Sequence, residues 1–316
     1  MTVLRMLSEH ELEVIGPLFE QVFGCPISRA LLHWKYAQSR GESWTVWQDS
    51  KLVLHYGAMW RTVRVAGQPL RAAQLVDSMA APKIGALRRE GSAFAVLLRH
   101  LLTQRLPSPD CPQRLVYGLP SQRPCRLLEL LGLGLTAGAM ANLVLTPAPD
   151  AGVRWSAIDP ANPSWQATAQ RCWEGMAADL RPQTVCERDP GYLHQRFVRH
   201  PEHRYTLLQV HSRWLRRPHG LAVLRASGHS AELLDLVAPL NQQAAVLAGV
   251  RAWMAHSGIT SASFLASPPV AAHLGALVDR NEATEFRIMT NPFSPPALLD
   301  QVREGWWFTG GDTEYR

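Results

Sequence analysis

At 316 residues the chain is long enough for one large or two medium domains, and 47% apolar with 18% charged residues is an ordinary globular composition. A formal net charge of +6 suits a polyanionic ligand, a nucleic acid or an anionic surface as partner, and equally a plain basic protein. The opening MTVLRMLSEHELEVIG carries acids where a signal peptide has its apolar core, and the most apolar window, 127–145, is broken by Glu129, Asn142 and glycines, so neither a leader nor a membrane span is expected.

Five widely spaced cysteines without a CxxC pair read as reduced thiols in a cytoplasmic protein. Twelve histidines form no HxxxH or HExxH pattern, so no metal site is expected. In chain order, 3–7 reads as a strand. Ser8-x-x-Glu11 is a capping box opening a helix whose buried face is Leu12, Ile15, Leu18, Phe19 and Val22. Gly24 and Pro26 end that helix, and Ser28 caps a second one over 29–36. Strands follow over 43–48 and 52–60, joined by the turn Asp49-Ser50. A further hairpin turns at Ala66-Gly67-Gln68.

The next stretch, 72–102, carries the clearest chemical signal. Gln74, Val76 and Ser78 alternate with Leu75, Asp77 and Met79 as in a strand, and Pro82 ends it. A basic glycine turn follows, Arg88-Arg89-Glu90-Gly91-Ser92-Ala93. Then Phe94, Leu97, Leu98, Leu101 and Leu102 recur at helical spacing. A strand, a basic glycine turn and a helix N-terminus together suit a phosphate: the first-turn amides lack partners, the helix dipole is positive there, and small residues admit the ligand. The other reading of the same residues is a surface loop with solvated arginines.

Arg88-x-x-Gly91-x-Ala93 after a strand resembles the pyrophosphate loop of the GNAT acyltransferase superfamily. A strand over 114–117, a helix ending at Leu131-Gly132 and two more strands to Thr146 complete an element order that resembles that family. The resemblance implies an α/β (α+β) fold and an acyl-CoA co-substrate, acetyl-CoA or another. Arg88, Arg89, Glu90, Gly91, Ser92 and Ala93 would hold the pyrophosphate. The backbone of Met79, Ala80 and Ala81 would hold the pantetheine arm and the thioester carbonyl.

The turn-rich segment 146–152 reads as a linker between domains 1–146 and 153–316. The second half resembles a diverged copy of the first. Leu193-His194 with Thr206 matches Leu32-His33 with Thr45, and Leu234-Asp235-Leu236-Val237 matches Leu75-Val76-Asp77. Its elements read as helices over 164–178 and 190–199, strands over 204–211, 219–226 and 231–238, a helix over 242–257, a strand over 260–265, a helix over 268–278 and a strand near 285–290. Two GNAT-like domains in tandem are therefore expected, each a mixed, mostly antiparallel sheet flanked by helices. After Pro239 the second copy has neither glycine nor arginine, so no CoA is expected there. The run Arg213-Trp214-Leu215-Arg216-Arg217 mixes base and aromatic, and reads as a hairpin turn with solvated arginines before it reads as a nucleic-acid patch. The aromatic tail 306–314 must pack against something; docking where the repeats meet and lining an acceptor pocket are the two alternatives.

The chemistry implied is transfer of an acyl group from CoA to a primary amine of a small molecule or amino sugar. Asp77 is the candidate base, acting with a raised pKa if half-buried, and pairing within the fold is the alternative role. The family's usual general acid is a tyrosine on the helix ending at Leu131; here Leu128 stands there, and Tyr117 is the substitute candidate. Cys125 would matter only in an acyl-enzyme route. Two rival readings are a Fem-like aminoacyl-tRNA-dependent transferase, against which the Gly91 motif argues, and a non-catalytic GNAT-fold binding module. Nothing in the sequence fixes the oligomeric state.

Overall fold

The computed structural model describes residues 2–82, 91–105, 115–149, 152–215 and 217–314. The first half runs β1 (Thr2–Met6), a 3-10 turn Glu9–Ile15, α1 (Gly16–Phe23), α2 (Arg29–Tyr36), β2 (Gly41–Gln48), β3 (Lys51–Val65), β4 (Gln68–Ala80), α3 (Ala93–His100), a π turn Leu101–Arg105, β5 (Leu115–Gly118), α4 (Gln122–Leu130) and β6 (Leu135–Leu145). The second half starts with β7 (Val153–Ala157), α5 (Ser164–Asp179), β8 (Thr184–Cys186), α6 (Pro190–Leu193), a π turn His194–Val198, β9 (Thr206–Ser212), β10 (Pro218–Ser227) and β11 (Ser230–Val237). It continues with α7 (Gln243–Ser257), β12 (Ser261–Ala266), α8 (Pro268–Leu274), β13 (Arg280–Thr290), α9 (Pro296–Gly305) and β14 (Trp306–Trp307). This is a mixed α/β fold of tandem type, as the repeat of element order implies.

Two differences from the sequence reading have local causes. The first expected helix is split, because Gly16-Pro17 ends the 3-10 turn and starts α1 with proline at its first turn. One strand, β6, stands where two were expected, and Gly138 passes through it without a positive φ. By contrast the turns at Asp49-Ser50 and Ala66-Gly67 have positive φ at both positions, the geometry that matches the twist of a tight hairpin.

The chain divides into two compact units, and the division does not fall at 146–152. The first unit is Met1–Val63, Leu70–Ala137 and Phe286–Asp300; the second is Arg64–Pro69, Gly138–Glu285 and Gln301–Arg316. Each unit includes part of a strand from the other half of the chain, 286–290 of β13 in the first and 138–145 of β6 in the second. In the first, β13 lies antiparallel to β5, with Met289 opposite Gly118 and Thr290 opposite Tyr117. In the second, β6 lies antiparallel to β12, with Leu143 opposite Phe264. Local periodicity and turns are untouched by such an exchange, so a sequence pattern does not disclose it.

Each unit has a parallel step between corresponding strands: β4 beside β5 in the first, and β11 beside β12 in the second. In the first unit α3 packs Ala95, Leu97 and Leu98 on Trp44, Leu54, Tyr56, Ala73 and Val116. A helix of eight residues is too short to persist alone, so this apolar face, at about 1.5–3 kcal/mol per fully buried leucine, is what holds it. The 3-10 turn, α1 and α2 cover the other face through Leu12, Ile15, Leu18, Leu32 and Trp34 against Met59, Val76 and Met79. The second unit has its own core, centred on Trp173, Leu208, Val223, Leu236, Val250 and Phe264.

Candidate active site

The first unit opens at its parallel step. β4 and β5 pair from Ala72 with Leu115 to Gln74 with Tyr117, and the ladder stops there. β4 runs on to Ala80 while β5 ends at Gly118. Beyond Gln74, β4 thus presents an edge from which β5 has withdrawn. Ala81 gives its N–H to Val53 O on β3 at 2.8 Å. Amides alternate edges along a strand, so the N–H of Ala80 points to the opposite edge, into the fork. Of the three expected backbone contacts, the amide of Ala81 is therefore already engaged.

The fork leads to the N-terminus of α3. Ser92 caps that helix, its Oγ accepting from the N–H of Ala95 at 3.2 Å. By helix geometry the amides of Ala93 and Phe94 have no intrahelical acceptor. A Cβ placed on Gly91 would meet no described heavy atom within 4 Å, so none of the described residues crowds it. Arg88, Arg89 and Glu90 lie outside the described residues.

Asp77 sits inside the fork strand with φ of 47°, a left-handed conformation that aspartate tolerates and that kinks a strand as a bulge does. Both ends of this residue are clamped. Lys35 Nζ donates to Oδ1 at 2.7 Å, and the Tyr36 hydroxyl donates to Oδ2. Its carbonyl oxygen lies 2.7 Å from His55 Nδ1, and Ser43 Oγ lies 2.8 Å from His55 Nε2. Gly57 makes room for the clamp: a Cβ there would fall 2.1 Å from the Tyr36 hydroxyl. Burial alone would raise the Asp77 pKa, but the charge of Lys35 and the hydrogen bonds of Lys35 and Tyr36 hold it below the ordinary carboxylate value. The raised pKa expected of a half-buried Asp77 does not arise, because the residue is buried against a cation. Burial likewise lowers the pKa of His55.

The other sequence candidates divide. Tyr117 is at the vertex of the fork, and its residue is only 1% exposed. Leu128, in the usual tyrosine position, packs on the first unit's core. Tyr56, which sequence reasoning passed over, lies on the same core beside Phe94, at a ring separation of 5.5 Å. Its buried hydroxyl has no hydrogen-bond partner among the described residues. Cys125 is buried, its Sγ 3.6 Å from Pro120 O, and burial pushes the thiol up to about 11. It should therefore resist alkylation by iodoacetamide at neutral pH until the protein unfolds; rapid labelling of folded protein at Cys125 would contradict this.

The equivalent place in the second unit is filled. β11 and β12 pair from Ser230 with Ser261 to Leu233 with Phe264, and the ladder again stops while β11 runs on. Here the chain's own tail enters. Thr309 bridges Ala266, Phe308 O accepts from Ser267 N at 2.9 Å, and Phe308 N donates to Ser267 Oγ at 3.0 Å. Gly311 lies so close that a Cβ would sit 3.0 Å from Asp235 Oδ2 and 3.1 Å from Leu234 O. Upstream, β14 lies parallel to β8, and Trp306, Trp307 and Phe308 are buried. The tail thus folds into the second unit.

Arg188 locks the tail in place. It is fully buried and donates to Asp235 Oδ1 at 2.9 Å, Asp312 Oδ2 at 2.7 Å, Thr309 Oγ1 at 3.2 Å and Cys186 O at 2.6 Å. Tyr192 OH donates to Gly311 O at 2.8 Å, and Arg196 donates twice to Thr313 O, at 3.0 and 2.6 Å. Asp235 occupies the sequence position that matches Asp77, and its pairing is structural. Burial, with the second carboxylate of Asp312 nearby, pushes its pKa up to about 6 despite Arg188. After β11 a short 3-10 turn, Leu240–Gln242, leads straight into α7, leaving no room for a glycine loop.

No protein-family model matches the sequence, and no curated protein is similar to it in sequence. Solved structures do share its fold. A GCN5-related N-acetyltransferase from Anabaena variabilis superposes with a TM-score of 0.64 at 14% identity, over 93% of this chain and 73% of that one. A tandem GNAT protein from the clavulanic acid biosynthesis pathway gives 0.58 at 13%, over 93% of this chain and 99% of that one. Saccharomyces cerevisiae N-myristoyltransferase with bound myristoyl-CoA gives 0.57 at 8%, over 92% and 82%. The fold is that of tandem GNAT proteins.

Proposed function

We propose that this tandem GNAT fold is an acyl-CoA-dependent N-acyltransferase, with the acyl donor in the first unit and a primary amine of a small molecule or amino sugar as acceptor. The observation that carries this reading is the fork: β4 parts from β5 after Gln74 and Tyr117, is kinked at Asp77, and is followed in the chain by a capped helix N-terminus whose Gly91 no described residue crowds. In this reading the pyrophosphate sits on the amides of Ala93 and Phe94, with Gly91 admitting it and the charges of the Arg88-Arg89-Glu90 stretch, two basic and one acidic, favouring an anion on balance. The pantetheine arm adds as a strand to the free edge of β4 along Met79 and Ala80.

The amine nitrogen attacks the thioester carbonyl carbon, the carbon–sulfur bond breaks, and one amine proton leaves as the thiolate gains one. The Ala80 N–H, pointing into the fork, stabilises the developing oxyanion. Tyr117, at the vertex, supplies the proton to the thiolate, and water takes the amine proton. Asp77 is a positioning residue: held as an anion by Lys35, it is a weak base and a firm anchor for the kink that aims Ala80.

Calorimetric titration with acetyl-CoA and longer acyl-CoAs tests the reading. Binding should occur in the micromolar range and be lost in Gly91→Trp, whose indole would fill the approach, without a change in melting temperature. A folded wild type that binds no acyl-CoA would overturn it.

A further inference from the structure

The tip of the β9–β10 hairpin carries a surface that acyl transfer does not use. Trp214 is 84% exposed and Leu215 is 69% exposed, side by side in the chain, whereas Trp34, Trp44, Trp165, Trp173, Trp253, Trp306 and Trp307 are all buried. Arg213 and Arg217 flank the pair and are exposed; Arg216 lies outside the described residues. The turn is closed: Ser212 N donates to Arg217 O at 2.9 Å and Arg217 N donates to Ser212 Oγ at 3.1 Å. On the neighbouring edge strand, β7, exposed Arg154 is in register with His211. The arginines are solvated, as their pattern implies. A plain turn does not account for the adjacent tryptophan and leucine.

We propose that this tip docks the protein on an anionic lipid surface. Two exposed apolar side chains at a closed hairpin turn can enter the headgroup layer, where an indole is at home. Arginines on either side then keep their charge at phosphate level while their stems lie along the apolar boundary. The net charge of +6 adds long-range attraction to the same partner. A single-stranded nucleic acid fits less well. The Arg213 guanidinium lies over the Trp214 ring at 5.6 Å, covering a face that base stacking needs, and Leu215 offers a base nothing.

Sedimentation of the full chain with vesicles tests the proposal. The wild type should partition onto vesicles of equal parts phosphatidylglycerol and phosphatidylcholine, and weakly onto phosphatidylcholine alone. Trp214→Ser with Leu215→Ser should weaken binding by about tenfold or more. Arg213→Gln with Arg217→Gln should weaken it by about tenfold to thirtyfold and flatten its salt dependence. All four positions are exposed, so both variants should keep the wild-type melting temperature. No partitioning of the wild type, equal binding to both vesicle types, or unchanged binding by a folded double variant would overturn the proposal. Tip-dependent binding to single-stranded RNA in place of vesicles would overturn it in favour of a nucleic acid.

Discussion

Replacing Arg188 with methionine should lower the unfolding free energy by about 3–5 kcal/mol, because it strands two buried carboxylates without their cation. Asp235 and Asp312 both bond that guanidinium, and neither side chain is solvated. The loss should be read by urea denaturation. Adding Asp235→Asn and Asp312→Asn to the methionine variant should restore most of the stability, since no buried charge then remains. A single variant within about 1 kcal/mol of wild type would contradict the lock. The same cluster sets a pH trend. Asp235 holds its proton up to about 6 in the folded protein, above the ordinary 3.8, so its contribution is complete below 3.8 and is lost as pH rises through about 6. In the methionine variant that decline should extend to higher pH, because the cation opposing protonation is gone.

Asp77→Ala should also cost about 3–5 kcal/mol, since it leaves the buried ammonium of Lys35 uncompensated and the Tyr36 hydroxyl without its acceptor. Asp77→Asn should fall between, because an amide keeps the shape, tolerates the left-handed backbone and still accepts from Tyr36, yet lacks the charge. The sign of the pH effect is opposite to that at Asp235. The Asp77 pKa is depressed in the fold, so its stabilisation is present above the ordinary 3.8 and is lost as pH falls through its lower folded value. Thermal melts of the three proteins separate a clamp from a base. A base would lose turnover while melting normally; the clamp should lose stability together with acyl-CoA affinity.

The strand and the helix on either side of the glycine turn were legible in the sequence because their signals are local, whereas the parting of β4 from β5 is a long-range pairing that no local signal reports. Alternating residues to Met79, proline at 82, glycine at 91 and an apolar stripe from Phe94 specify a strand, a turn and a helix without any long-range contact. The clamp was not legible, because Lys35, Tyr36, His55 and Asp77 come from three separate elements and meet only when α2 packs on the sheet. Asp77 was singled out by position alone, and position does not report the cation beside it. The tail showed that it must be buried through Trp306, Trp307 and Phe308, but not where. Its docking partner is an arginine more than a hundred residues upstream, in a segment with no motif. The exchange of strand segments has no sequence signal, since β6 and β13 keep ordinary strand patterns whichever unit they join.

Two similar forks thus have opposite fates: the second is closed by the chain's own tail, and the first is proposed to receive an acyl donor. Amide hydrogen exchange with and without acetyl-CoA tests this contrast most directly. Ligand-induced protection should be confined to 75–81 and 91–98, with 234–243 and 306–313 already slow and unchanged. Protection appearing at 234–243, or nowhere despite measured binding, would contradict it.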